Sequence, residues 1–384
     1  MGARRAYLDH AASAPLLPEA RVAMEPYLAA AFGNPSGAHV EARRARRAVD
    51  DARDQMAELL GADPGEVVFT SGGTEADNLA VFGPEIGGTD GKAALVCTAI
   101  EHPAVLAACR ERARLSDAPL REVGATKDGL VDLEELADAC RPDVALVSVM
   151  SANNEVGTIQ PLDAVAEVVR RRAPRAVLHT DAVQAAPWLD VADHAAAADL
   201  VSLSAHKFGG PKGVGALVVR SGVTVRPLLF GGGQERERRS GTTNVAGVVG
   251  MAAALAVTAR RRDRVNAAVT RRRDRLGDGL LRGVPGAAET GDRETRTPGH
   301  LHVRFAGIES EALVVLLDEA GVAVSAGSSC SSGATEPSHV LLAMGLDLSE
   351  AQSGIRFSLG PETTDADVDA ALAAVPGAVA RLRD

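Results

Sequence analysis

Apolar and polar positions change period several times along the chain. Short, almost unbroken apolar runs at 66–70, 93–98, 144–150, 176–180, 200–204 and 215–220 have the length of strands and end in small or polar residues. Between them lie stretches, such as 103–116 and 163–172, whose apolar residues recur at helical spacing. A strand that reads as a continuous apolar run is covered on both faces, so the alternation predicts a largely parallel sheet between helical layers, an α/β architecture. Past residue 245 the pattern changes. An Ala/Arg-rich helical region runs to about 282, followed by a strand at 300–305, a helix at 310–320, a Ser/Gly-rich loop and a last helical segment. This predicts a smaller α+β C-terminal lobe, with a large domain over 14–260 and a small one made of 261–384 with 1–13. The acidic, Thr/Gly-rich stretch 291–299 reads as a surface loop.

Composition narrows the picture. At 384 residues the chain exceeds what one simple core organises. Aromatics make up 3%, so Leu, Val and Ala must fill the interior. The net charge of −10 leaves no electrostatic footprint for nucleic acid. Arg43, Arg44, Arg46 and Arg47, and the run 260–262, have acidic neighbours and read as solvated helix faces. No apolar segment follows the first arginines, and the longest apolar run, 245–259, is shorter than the roughly 20 residues of a membrane span. The expectation is a soluble cytoplasmic protein without a membrane partner. Four cysteines, at 97, 109, 140 and 330, show no CxxC spacing, which argues against a zinc knuckle or a disulfide framework. Of 41 basic residues only Lys92, Lys127, Lys207 and Lys212 are lysines. Arginine replaces lysine as a surface charge but not as an amine nucleophile, so each lysine is worth asking about, with Lys92 and Lys127 reading as leftover surface lysines.

Polar residues cluster after the predicted strands, the edge at which open α/β sheets bind ligands. Thr70 to Glu75 runs from strand through Gly72 and Gly73 to a helix start, which suits either a phosphate or an ordinary capping box. His102 is either a stacking ring and proton shuttle or a helix-capping loop residue. Asn153, Asn154 and Glu155 before Gly157 form either a polar ligand contact or a turn. Asp181 ends an apolar strand, where a carboxylate needs a positive partner such as a protonated pyridine nitrogen, or else serves as an N-cap. The segment 202–213 presents Ser204, His206 and Lys207 at a strand end. An amine desolvated there becomes a Schiff-base former, whereas Lys212 reads as a solvent lysine. Gly231 to Glu235 and Arg239 to Thr242 suit either an anion or a flexible loop. Cys330 sits among small polar residues, unlike Cys97, Cys109 and Cys140, whose apolar surroundings mark them as core. It is either a mobile working thiol or part of a plain surface loop. Arg356, in a strand-like run, suits a carboxylate clamp.

In order and spacing these segments resemble the cysteine desulfurases of the NifS/IscS type, in the class V aminotransferase family of fold-type I pyridoxal-phosphate (PLP) enzymes. The resemblance is carried by YLDHAASAPL (7–16), FGNPSGAH (32–39), TSGGTEADN (70–78), EHPAV (101–105), NNEVG (153–157), TDAVQ (180–184), SAHKFGGPKGVGAL (204–217), GGGQE (231–235), RSGT (239–242), SAGSSCSSGATEPSHVL (325–341) and IRFSLG (355–360). It implies a mainly parallel, seven-stranded sheet and a homodimer with PLP as cofactor. It implies that Lys207 forms the Schiff base and moves protons at the substrate Cα, that His102 stacks on the ring, and that Asp181 keeps the ring nitrogen protonated. Gln184 and Asn154 would bond the ring oxygen. Gly73, Thr74, Ser204, His206 and Thr242 would hold the phosphate, Thr242 from the other subunit. Arg356, with Asn34 and Asn154, would clamp the carboxylate of L-cysteine. Cys330 would take the substrate sulfur as a persulfide and pass it to an acceptor protein, leaving L-alanine. The length of the cysteine loop resembles the first of the family's two groups.

Departures are modest. Gly73 stands where the family often has Ala, and Glu237 and Arg238 vary the phosphate loop. The chain ends at Asp384, which reads as short of the C-terminal extension that docks an iron–sulfur scaffold. Iron–sulfur assembly and other sulfur-incorporation routes therefore stay open. Selenocysteine lyase chemistry on the same scaffold is the enzymatic alternative, separable by comparing turnover of the two substrates. A non-catalytic sulfur-carrier subunit would be colourless and bind no PLP. An aminotransferase would leave Cys330 without a task.

Overall fold

The computed structural model describes residues 5–85, 93–327 and 337–384. A short strand, β1 (Ala6–Tyr7), opens the chain. The main sheet follows with β2 (Val67–Thr70), β3 (Ala94–Thr98), β4 (Leu120–Val123), β5 (Val144–Ser148), β6 (Val177–Asp181), β7 (Leu200–Ser204) and β8 (Gly215–Val219). Their spatial order is β2-β8-β7-β6-β5-β3-β4. Strand β8 runs antiparallel to both neighbours, and the other pairings are parallel. Strands β2, β3, β5, β7 and β8 are buried along their whole length, which is why their sequences are unbroken apolar runs. The edge strand β4 reads Leu-Arg-Glu-Val and is largely half-buried. With one side open to water it lacks the apolar run, and the sequence pattern misses it.

Helices cover both faces. Val40–Leu59, Leu162–Arg172 and the first half of Val245–Gly283 pack on one side, where Val49, Met56, Val165, Val169, Val248 and Met251 share a core with Val67, Val96, Val147 and Val201. Gly73–Phe82 and Pro103–Ser116 cover the other face. A second core lies beyond. Strands β9 (Ala287–Glu289), β10 (His300–Phe305) and β12 (Gly354–Ser358) form an antiparallel sheet, and β11 (Val322–Ala323) pairs with β1. Phe305, Phe357, Leu313 and Val375 fill this core, and Ala6 and Leu8 join it from the N-terminus.

The Val245–Gly283 helix is 39 residues long, about 58 Å at the usual rise, and serves both cores. Its Leu255 packs in the first core and its Val265 and Val269 on the second, so residue 260 lies within one continuous helix. The stretch 291–299 departs from the surface loop expected. Arg296 and Thr297 are buried, with Arg296 ion-paired to Glu289 and the Thr297 amide donating to the Gly157 carbonyl. Pairing neutralises the charge that made this stretch look solvent-facing.

Among the described residues, no helix is long and apolar enough to cross a membrane, and no cluster of His, Cys, Asp and Glu is placed to hold a metal. Phe357 is fully buried in the second core. Phe357→Ala is expected to cost about 3–5 kcal/mol, read as a lower urea midpoint in equilibrium unfolding; an unchanged midpoint would contradict this packing.

Candidate active site

The C-terminal ends of β2, β3, β5, β6 and β7 lead into the segments that the sequence marks for chemistry. After β7 a 3-10 turn, Ala205–Lys207, brings the lysine back under the sheet edge. The half-buried Lys207 Nζ donates to the Ala11 carbonyl at 2.6 Å and the Ala12 carbonyl at 3.2 Å. Gln184 Nε2 donates to the same Ala11 carbonyl at 2.8 Å. The N-terminal segment thus forms one wall, with His10, Gln184, Lys207 and His300 lining a common cavity.

At one end of the site the chain leaves β2 through Gly72 (φ 155°) and starts a helix at Gly73. A Cβ on Gly73 would lie 3.0 Å from Val183 Cγ2 and 3.4 Å from Ser204 Cβ, so glycine keeps this corner open. Thr74 is exposed at the helix start, with the first amides of the helix beside it. Glu75 turns back to the Ser71 amide and pairs with Arg239 at 2.8 Å. Arg239 is therefore spent on a carboxylate rather than left for an anion. His206 bonds Ser13 Oγ at 3.3 Å. Thr242 is exposed and lines a separate cavity with Thr70, Ser71 and Gly213.

At the other end Asn153 shapes the loop after β5. Its Oδ1 accepts from the Glu155 and Val156 amides and its Nδ2 donates to the Ile100 carbonyl. Gly157 (φ 82°) allows the turn to press on His300, for a Cβ there would lie 2.3 Å from His300 Cβ. Arg356, on β12, is buried; its Nη1 donates to the Asn154 carbonyl at 2.8 Å and its Nη2 to Asp9 Oδ1 at 3.0 Å. Arg356 Nε, Asn154 Oδ1 and His300 Nε2 are buried without a hydrogen-bond partner. Asn34 lies on an exposed loop, its Oδ1 accepting from the Ser36 amide.

Burial sets the protonation states. Desolvation drives Asp181 up to about 6, against the Val183 amide and Lys207, which pull it down. Asp77, behind it, is pushed well above the ordinary carboxyl range by burial and by the Asp181 charge. Glu101, bonded to the Thr98 hydroxyl and the Met150 amide, is raised by burial to about 8. His102 falls to about 4, through burial first and then Lys207, and so is neutral near pH 7. Its Nδ1 accepts from the Ala104 amide, so the ring caps the Pro103–Ser116 helix while facing the site. His206 falls to about 4 for the same two reasons.

The structure brings Lys207, Gln184, Asn154, Arg356, His102 and Asp181 to one sheet edge, with Gly73 and Ser204 at its corner. Cys330 lies outside the described residues. Cys97, Cys109 and Cys140 are buried, as their apolar surroundings suggest. Sequence reasoning misses Asp9, the Ala11 carbonyl, Glu101 and His300. A signal for His300 exists: His300, His302 and Arg304 alternate with Leu301, Val303 and Phe305, a polar strand face that turns out to be largely buried.

Residues 6–371 match the aminotransferase class-V family, and the chain belongs to it. A cysteine desulfurase of Gluconacetobacter diazotrophicus is 42% identical over 98% of this chain and 94% of its own length. An IscS-like cysteine desulfurase of Mycobacterium tuberculosis is 44% identical over 98% and 97%. A NifS-like protein of known structure superposes with a TM-score of 0.90 at 35% identity, covering 98% of this chain and all of that one. These place the chain in the cysteine desulfurase group of fold-type I enzymes, with PLP as its cofactor. The residues fit that group. The open corner at Gly73 beside a helix start suits its phosphate, and a buried carboxyl at Asp181, close enough to Lys207 to feel its charge, suits its ring nitrogen.

The raised carboxyl of Glu101 has a consequence for stability. Its folded value exceeds its unfolded one, so its favourable contribution is complete below the ordinary carboxyl range and is lost as pH climbs through about 8. Glu101→Gln keeps an acceptor for Thr98 and Met150 without a titrating proton. The variant is expected to melt several degrees above wild type at pH 9 and level with it near pH 4.5; equal melting at both would show that Glu101 is not buried as described.

Proposed function

We propose that this protein is a cysteine desulfurase that converts L-cysteine to L-alanine and stores the sulfur as a persulfide on Cys330. The convergence of Lys207, Asp181 and Arg356 on one sheet edge, in a chain of this family, carries the reading. When bound, PLP supplies an electron sink for the carbon that loses its substituents. Asp181 holds a proton at the ring nitrogen and so keeps that sink strong. Lys207 anchors the cofactor and shuttles the Cα proton. His102, neutral and half-buried, stacks on the ring and accepts or returns a proton. Asn154 and Gln184 orient the ring oxygen, and Gly73, Thr74, Ser204 and His206 hold the phosphate, joined by Thr242 from the second subunit of a homodimer. Arg356, with Asn154 and Asn34, binds the substrate carboxylate.

The Cys330 thiolate attacks the substrate sulfur. The new S–S bond forms as the substrate Cβ–S bond breaks, and its electron pair stays with the carbon fragment. Cβ then takes up a proton, the Cα proton is restored, and alanine leaves. The persulfide passes to an acceptor protein in iron–sulfur assembly or another sulfur-incorporation route, in the cytoplasm.

Sulfide release from L-cysteine in excess thiol reductant tests this. Wild type should be active. Cys330→Ala should lose roughly 10²-fold or more in rate while keeping its visible cofactor absorbance, and Lys207→Ala should lose both. Full activity in Cys330→Ala would overturn the persulfide step.

A further inference from the structure

The main sheet ends at β2, which pairs on one side only, with β8. The Val219 amide donates to the Glu66 carbonyl, so by the alternation of an antiparallel pair Val67 and Phe69 turn their backbone groups to the open edge. Among the described residues no further strand takes them. Arg53, on the Val40–Leu59 helix, donates Nη1 to the Val67 carbonyl, and Glu235 Oε2 accepts from the Phe69 amide at 3.0 Å. The two side chains also pair with each other in a fork, Nη1 to Oε2 at 2.8 Å and Nη2 to Oε1 at 2.7 Å. The guanidinium lies 4.6 Å from the centre of the Phe69 ring, and the paired side chains are only 9% and 7% exposed.

The loop that supplies Glu235 is strained at the same point. Glu235, Arg236 and Glu237 all lie in the left-handed region, with φ of 50°, 54° and 65°, where a Cβ crowds the backbone. Residues held there persist only when their surroundings over-determine them. Two arginines give part of the hold: Arg236 reaches the Pro64 carbonyl and Arg238 the Gly65 carbonyl. The hold most withdrawn from water is Glu235 itself. Beyond the turn, the Gly241 amide donates to Gln234 Oε1 at 2.9 Å, and Arg239 is tied to Glu75 on the helix that starts at the Gly73 corner. Thr242 follows directly, exposed, in a cavity that Glu235, Arg239, Thr70 and Ser71 also line. The left-handed turn therefore sets where the backbone delivers Thr242.

We infer that Arg53 and Glu235 are a positioning pair for the cofactor: by closing the open edge of β2 they lock the left-handed turn at 235–237 and so fix Thr242 for the PLP phosphate. They act through Thr242 rather than on the cofactor itself. This rests on the desulfurase reading for the place of Thr242 at the phosphate. A pair that only supported the strand edge would act alike on every ligand of the site, whereas a positioning pair acts on the phosphate alone.

The test uses the full-length protein, stripped of cofactor and reloaded with either of two probes: PLP, or pyridoxal, which has the same ring and aldehyde but no phosphate. The Kd of each is read from visible absorbance. Glu235→Gln keeps an acceptor for the Phe69 amide but removes the charge that pairs Arg53. It should raise the PLP Kd roughly 5- to 50-fold and move the pyridoxal Kd by less than about twofold. With PLP saturating, sulfide release per bound cofactor should stay within about threefold of wild type. Thr242→Val should weaken PLP and spare pyridoxal in the same way, and Glu235→Gln added to Thr242→Val should weaken PLP by less than about twofold more, because both act on one contact. If Glu235→Gln does not fold, Arg53→Lys, which keeps the charge but loses the fork, must show the same PLP-selective loss in smaller measure. An unchanged PLP Kd in Glu235→Gln or in Thr242→Val, equal weakening of PLP and pyridoxal, or full additivity of the two substitutions would overturn the inference. If wild type releases no sulfide from cysteine but PLP and pyridoxal respond to these variants as stated, the desulfurase reading falls and the positioning role stands.

Discussion

A guanidinium taken out of water must find partners, and Arg356 finds them in two parts of the chain, both distant from its own strand. It sits on a strand of the second core, donates to Asp9 from the N-terminal segment, and donates to the Asn154 carbonyl from a loop of the main sheet. The Arg356 backbone is also paired with Ser325, just before the segment that holds Cys330. Removing any one partner would leave a buried charge poorly satisfied, which is costly. The requirement fixes how the two cores meet, and with it the distance between Lys207 on one side and the amino-acid end of the site on the other.

Around that fixed point, burial does most of the electrostatic work. Asp77, Glu101 and Asp181 share the sheet edge and its underside, and each is raised by desolvation, with the Asp181 charge adding to the rise of Asp77 and Glu101. His102, His206 and His300 are pushed down instead and stay neutral. Neutral imidazoles and partly protonated carboxyls leave few fixed charges in the cavity. A dianionic phosphate and a pyridinium can then be bound by backbone amides, hydroxyls and one carboxyl, without a crowd of competing cations.

Several residues hold two roles that one-dimensional reading treats as alternatives. His102 caps a helix and faces the site, because the strand-to-helix corner puts the first helical amide and the cavity on the same side of its ring. Glu75 turns back to its own helix start, yet it also fixes Arg239 and so tethers the loop that carries Thr242. Gln184, expected at the ring oxygen, spends its amide on the Ala11 carbonyl, the same oxygen that Lys207 uses. Shared acceptors of this kind depend on a contact between residues more than 170 positions apart.

The sequence by itself determined the covered sheet strands and the helices between them, and it marked the candidates for the chemistry: Lys207 after a strand, Asp181 at a strand end, Arg356 in a strand, Cys330 among small polar residues. These are local facts of period, turn and residue type, and they can be read wherever burial is the same on both faces of an element. The edge strand Leu120–Val123 escaped because one side faces water. The buried stretch around Arg296 escaped because its charge is cancelled by Glu289, seven positions earlier at the end of β9. The pairing of Asp9 with Arg356 exists only in three dimensions. A polar side chain's partner is set by which distant backbone group the packing of two cores brings within about 3 Å of it, and no spacing along the chain encodes that distance.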